Sequence, residues 1–249
     1  MTDQFYEKHY GRNPTPARIK AVAKALAPKL GQKTRWLDIG CGNLDTSIAL
    51  IEELKRLGVT SEITVTGWDV SNTAVHAVRA RDYNAEVRDV STCEIAETDQ
   101  GAWDVVLFLE VLEHLVDTDT TLRNIHSLLA PKALLVLSVP NLAAWYNRIL
   151  LLVGFQPHGT EVSYAPYRFG LQFMGRVLGE EPGVAATAVG HLRSFTLRAL
   201  RELLAYHGFA VRKVIGISNH KWDLVGRCVA KIWPSGSGNV LIIADRSCE

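Results

Sequence analysis

Apolar residues along this chain follow two rhythms that alternate. Short runs at 35–39, 62–68, 84–88, 103–109 and 133–139 read as strand candidates. Between them lie stretches of helical period at 45–57, 72–81 and 118–129. In front, residues 14–30 carry Pro14 and Pro16, then Ile19, Val22, Ala23, Leu26 and Leu30, the spacing of an amphipathic helix. Alternation of this kind predicts an α/β domain with a parallel sheet and helices on both faces. After Pro140 the rhythm changes. Residues 141–190 show no strand pattern, and one helix is expected at 142–153, with Leu142, Tyr146, Ile149 and Val153 on its apolar face. Helix 196–207 and strand 209–217 come next, then a connection containing Pro234, Ser235, Gly236, Ser237 and Gly238, and a final strand from Val240 to Ala244. A long irregular segment inside a compact domain points to a lid or binding insert. The expected organisation is a helical cap at 1–30, a core at 31–141 and 190–249, and a substrate-binding lid insert at 142–189.

Composition narrows the partners. The chain has 249 residues, with 27 basic against 26 acidic side chains and a net charge of +1, so no global field recruits nucleic acid. No DNA partner is expected, and RNA is the lesser reading. Cys41, Cys93, Cys228 and Cys248 show no paired spacing and read as free thiols of a reducing compartment. The first ten residues lack the apolar core of a signal peptide. The densest apolar stretch, Ile149 to Val153, is far shorter than the ~20 residues a membrane span needs. A cytoplasmic protein without a transmembrane segment is the expectation, and a homodimer is left open.

The candidate chemistry begins at Asp38-Ile39-Gly40-Cys41-Gly42, where a buried strand ends in an acidic residue and turns through two glycines into a helix starting near Asp45. A second strand ends in Asp69, followed by Val70. Glycines let backbone approach a ligand, the helix start offers free N–H groups, and a carboxylate ending the next strand accepts ribose hydroxyls. The pattern predicts a site for an adenosine-bearing cofactor. Asp38 would lie near a cationic amino group, Asp89 would accept from an adenine amino group, and Val90 would supply a backbone N–H. Either Asp38 or Asp69 alone also suits a helix cap. A dinucleotide would use Asp69 equally well, but it calls for a third small residue where this chain has Asp45.

Taken together, these motifs resemble those of class I S-adenosylmethionine-dependent methyltransferases. The run from Trp103 to Leu115, containing Glu110-Val111-Leu112-Glu113-His114, is similar to the fourth motif of the ubiquinone-biosynthesis O-methyltransferase branch. Leu137-Ser138-Val139-Pro140-Asn141 and the run Gly190 to Thr196 look like that branch as well. The resemblance implies a Rossmann-like, seven-stranded, mostly parallel sheet whose last strand is antiparallel. It also implies S-adenosyl-L-methionine as cofactor, S-adenosyl-L-homocysteine as product and a small-molecule acceptor. Asp45 departs from the pattern, where a small residue is commoner.

Cofactor binding is thus expected from Asp38, Gly40, Cys41, Gly42, Asp69, Val70, Asp89, Val90 and Glu110. Residues closing the fourth strand face the reacting centre of a doubly wound sheet. There His114 suits a general base, with Glu113 orienting it, unless the two merely cap the following helix or hydrogen-bond the backbone. Substrate contacts are expected from His158, Tyr164, Tyr167, Arg168 and His191, with Phe155 and Phe169 nearby, and Tyr6, His9 and Tyr10 folding over the cofactor. The reading is O-methylation of a small cyclic or aromatic hydroxylated molecule. An N-methyltransferase is an alternative. So is a metal-dependent 2′-O-methyltransferase of RNA 3′ ends, in which Glu110, Glu113, His114 and His191 would bind a divalent metal. A nicotinamide oxidoreductase and a cofactor-binding scaffold without catalysis complete the set. Leu142 to Phe155 is read as a lid helix in preference to a membrane-surface helix.

Overall fold

The computed structural model describes residues 15–163, 169–170, 190–218 and 224–246. Among them the strands are β1 (Lys33–Ile39), β2 (Glu62–Asp69), β3 (Asn84–Val87), β4 (Trp103–Leu109), β5 (Leu129–Pro140), β6 (Phe209–Ile217) and β7 (Asn239–Arg246). The α-helices are α1 (Pro16–Leu26), α2 (Asp45–Arg56), α3 (Asn72–Arg79), α4 (Thr118–Leu128), α5 (Trp145–Leu152), α6 (Leu197–Tyr206) and α7 (Leu224–Ile232). All seven strands form one sheet in the order β3-β2-β1-β4-β5-β7-β6. Pairs from β3 to β5 are parallel, while β7 runs antiparallel to both β5 and β6. The sheet expected from the resemblance is the sheet observed.

The apolar runs form strands because both faces are covered. On one face Leu50 and Leu54 of α2, Val75 and Val78 of α3 and Val22 and Leu26 of α1 pack on Trp36, Val65, Val105 and Leu107. On the other, Leu122 and Ile125 of α4 and Leu200 and Leu204 of α6 pack on Leu37, Val106, Phe108 and Ile242. Caps set the helix starts. Ser71, Asp117 and Thr196 each accept a backbone N–H three residues on.

Two expectations need correction. The connection between β6 and β7 holds a helix, α7, which packs closely on β6. A Cβ on Gly216 would lie 2.5 Å from the Ala230 carbonyl oxygen, so only glycine admits the helix there. The second concerns α5, which buries Asn147 and Leu150, while Ile149 and Val153 of the expected apolar face are more than half exposed. Hydrogen bonding decides this orientation. The Asn147 amide donates to the carbonyl of His158 (3.1 Å) and accepts its N–H (2.7 Å), tying the loop at His158 to α5. No helix among the described residues is long and apolar enough to cross a membrane.

Candidate active site

The turn after β1 is built by backbone constraints. Gly40 has φ +72°, and a Cβ there would lie 2.5 Å from Val111 Cγ2, so the missing side chain admits Val111 from the loop after β4. Sequence reasoning expected that space to admit ligand. Gly42, also left-handed, donates its N–H to Asp69 Oδ2 at 2.9 Å. The other Asp69 oxygen accepts from the Ser71 N–H at 2.9 Å. Asp69 therefore ties the glycine turn to the end of β2, and neither it nor Asp38 caps a helix. Cys41 turns its buried thiol towards Gly67, where a Cβ would meet Sγ at 2.5 Å. Only its backbone belongs to the turn, and burial pushes the thiol pKa up. Strain sits at Leu44, left-handed at φ +67° and fully buried, which starts α2 without a side-chain cap. Asp45 points away, to Asn43 (2.6 Å) and Arg81 (2.9 Å).

Asp38 decides whether this pocket fits a cationic cofactor. Its carboxyl is 4% exposed and accepts from the Ser47 hydroxyl at 2.6 Å. Burial raises its pKa from 3.8 to about 7, the Ser47 bond pulls against that, and Asp69 adds to it. A buried carboxylate held by one hydroxyl gains most from a positive ligand group, as the ammonium of a methionine moiety would provide. The α2 N-terminus beside it suits the matching carboxylate. At the far edge Val70 is 40% exposed after β2, offering an apolar surface to a flat ring. Asp89 Oδ1 is engaged by the Ser91 N–H and hydroxyl, and Val90 is buried with its carbonyl bonded to Asn124.

Beyond β4 the chain turns through Glu110, left-handed at φ +59°, into a short 3₁₀ turn, Leu112–His114. Asp117 caps α4, so Glu113 and His114 are free of that duty. Residues 190–193 dock on this turn by main-chain bonds from Leu192 and Arg193 to the Glu113 carbonyl. That brings the His191 ring to 5.0 Å from the His114 ring. Each imidazole has Nδ1 on a backbone carbonyl, His114 on Gly190 (3.1 Å) and His191 on Gly159 (2.8 Å). Carbonyls only accept, so in the neutral rings Nδ1 carries the proton and Nε2 the lone pair. Glu113 is 1% exposed, and neither carboxyl oxygen has a hydrogen-bond partner. Burial and then Glu110 hold its pKa well above the usual carboxylate range. Burial, followed by His191, lowers that of His114. Ligand atoms of Glu113, His114 and His191 lie within 4.8 Å of one another.

Glu110 does not join that cluster. Its oxygens take the Ser138 hydroxyl (2.7 Å), the Asn239 amide (2.7 Å) and Arg18 of α1 (3.3 Å). Arg18 is the functional candidate that sequence reasoning missed. Its side chain is 13% exposed and its Nε is buried without a partner. A lone arginine on an amphipathic helix gives no sequence signal. The unpaired buried Nε, on a guanidinium held by Glu110, is a structural one. His158 is exposed and packs its ring edge-on to Tyr146. Tyr6, His9, Tyr10, Tyr164, Tyr167 and Arg168 lie outside the described residues.

Comparison with known proteins agrees with this architecture. A family model described as a methyltransferase domain matches residues 10–214. The chain belongs to that family, the class I S-adenosylmethionine-dependent methyltransferases. It is 30% identical over 156 residues to the ubiquinone biosynthesis O-methyltransferase of Albidiferax ferrireducens, covering 58% of this chain and 57% of that one. The chain spans about half the length of several other curated relatives it matches. Among solved structures, an S-adenosylmethionine-dependent methyltransferase of Thermotoga maritima superimposes with TM-score 0.61 at 16% identity, covering 98% of each chain. A 1,6-didemethyltoxoflavin-N1-methyltransferase of Burkholderia thailandensis, with bound S-adenosylhomocysteine, gives 0.56 at 19% identity over 94% of this chain and 80% of that one.

Proposed function

We propose that this protein transfers the methyl group of S-adenosylmethionine to an oxygen of a small hydroxylated molecule, cyclic or aromatic. The cofactor supplies an electrophilic methyl carbon, and the chain's own residues hold, orient and dehydrate the reactants. Asp69 accepts the ribose hydroxyls, Val70 and the Asp89–Val90 turn receive the adenine, and Asp38 and Arg18 take the ammonium and carboxylate ends of the methionine. Gly40, Cys41 and Gly42 contribute backbone.

The observation that carries the oxygen reading is the set of basic atoms left unpaired beyond β4. A neutral amine attacks with its own lone pair, whereas a hydroxyl must lose a proton. His114 stays neutral to lower pH than an ordinary histidine, with Nε2 available to take that proton. Glu113 and His191 flank it. His158, with Tyr164, Tyr167 and Arg168, contributes to the acceptor pocket from the 142–189 insert, read as the lid. The relatives' O-methyltransferase names support the same reading. The test is to offer phenols, vicinal diols and amines with S-adenosylmethionine and identify products by mass. Methylation confined to amines would overturn the oxygen assignment.

The unpartnered Glu113 oxygens favour a second reading, a divalent cation held by Glu113, His114 and His191. One carboxylate and two imidazoles suit a first-row transition ion or zinc, which would lower the acceptor hydroxyl's pKa. Metal analysis of the purified protein, with methyl transfer measured after chelation, separates the two. Unchanged turnover in metal-free protein would leave His114 as base. Either reading fits a small acceptor or a terminal ribose diol, and the near-neutral net charge supports the small one.

A further inference from the structure

Glu110 collects more partners than a surface carboxylate needs, and they come from three separate elements. Ser138 lies near the end of β5, Asn239 begins β7 and Arg18 lies on α1. The backbone beneath it is left-handed, a conformation that a non-glycine residue adopts only when its surroundings over-determine it. The Glu110 N–H is also bonded, to the Ser138 carbonyl at 2.9 Å. Oε1 is shared between the Ser138 hydroxyl and Arg18, while Oε2 is taken by the Asn239 amide. The carboxylate cannot swing without breaking one of these bonds. Arg18 is therefore held by an anchor that is itself fixed from both ends, and its buried Nε is left without a partner.

We infer that Asn239 and Ser138 are positioning residues for cofactor binding: they fix the Glu110 carboxylate, which aims the Arg18 guanidinium at the methionine carboxylate. The inference rests on the reading of Arg18 given above. Its consequence is selective. Loosening Glu110 weakens recognition of the amino-acid end of the ligand and leaves the adenosine end untouched, because Asp69 and Val70 belong to β2 and its following turn.

Two probes separate these ends in the full-length protein. S-adenosylhomocysteine carries the amino-acid group, and 5′-methylthioadenosine lacks it. Calorimetric titration of Asn239→Ala should show S-adenosylhomocysteine affinity reduced about tenfold, the order expected for loosening one charge-assisted hydrogen bond, with methylthioadenosine unchanged. Arg18→Ala should show the same selectivity with a larger loss. Adding Asn239→Ala to Arg18→Ala should then cost nothing more, since both act through one contact. Equal weakening of both ligands in Asn239→Ala would overturn the inference, because a general loosening of the sheet would produce it. Selective loss in Arg18→Ala without any in Asn239→Ala would sink the relay and keep the Arg18 reading. No selectivity in Arg18→Ala would sink both. Where Asn239→Ala does not fold, Ser138→Ala removes the other anchor and is read by the same pair of ligands.

Discussion

At the ends of β1 and β2 the acidic side chains already have partners: Asp69 two backbone N–H groups and Asp38 the Ser47 hydroxyl. Past β4, Glu113 is more deeply buried and neither of its oxygens has a partner. The first region is assembled within one strand–helix–strand unit, from residues about thirty apart in sequence. The second needs the docking of residues 190–193 on a turn that lies 76 positions earlier. A pocket for a fixed ligand can be preformed from local chain, with its own polar groups holding it open. A reactive end keeps polar atoms unspent, and the domain must be packed before it exists.

The sharpest way to break this contrast is Asp69→Ala. It removes both the proposed ribose acceptor and the tie to Gly42, so calorimetric affinity for S-adenosylhomocysteine should fall by about a hundredfold or more. Retained affinity would show that the preformed region is not the cofactor site. His114→Ala should do the converse, lowering kcat by roughly 10²–10³ with cofactor affinity intact, the usual range for a lost general base. Coincident loss of affinity would place His114 in the cofactor pocket.

Asp38 gives a pH signature. Its pKa is raised from 3.8 to about 7 in the free protein, so below 7 the carboxyl is mostly protonated and must release a proton to meet an ammonium group. Affinity for S-adenosylhomocysteine should therefore rise about tenfold per pH unit towards 7 and level off above it. Asp38→Asn should flatten that slope. The same shift makes the ligand-free fold lose stability as pH climbs from the unfolded value towards 7, since the unfolded chain ionises first. Chemical denaturation of the two proteins across that window would show it.

Smaller effects test the backbone. Gly40→Ala forces a Cβ against Val111 at a left-handed position and should cost about 1–3 kcal/mol of stability, read from denaturant midpoints. Asp45→Ser removes the half-exposed ion pair with Arg81 and the bond from the Asn43 amide, both directed away from the glycine turn, so cofactor affinity should move by no more than about twofold. A large change would mean that the departure at Asp45 does shape the turn.

How legible each part was in the sequence follows the same division. Asp38, the glycine turn and Asp69 were readable because hydrophobic strands and turn residues sit side by side in the chain. Glu113, His114 and His191 were readable as chemistry, but the separation of Glu110 from them was not. That depends on Asn239 and Arg18, more than 200 residues apart, meeting at one carboxylate. The face of α5 was misjudged because hydrophobic periodicity ignores one buried amide, Asn147, with two backbone bonds to make. The Leu44 conformation left no trace in composition, since a leucine in the left-handed region looks like any other leucine.

The placement of β7 has a consequence for how the molecule comes into being. It is the strand synthesised latest of the seven, yet it lies between β5 and β6. A nascent chain can pair β1 to β5 as they emerge, but β6 must wait, its neighbouring slot empty, until Asn239–Arg246 leaves the ribosome. The same strand delivers Asn239 to Glu110. The surroundings of Glu110 are thus finished by the strand that closes the sheet, and a chain stalled short of it would expose a long apolar edge.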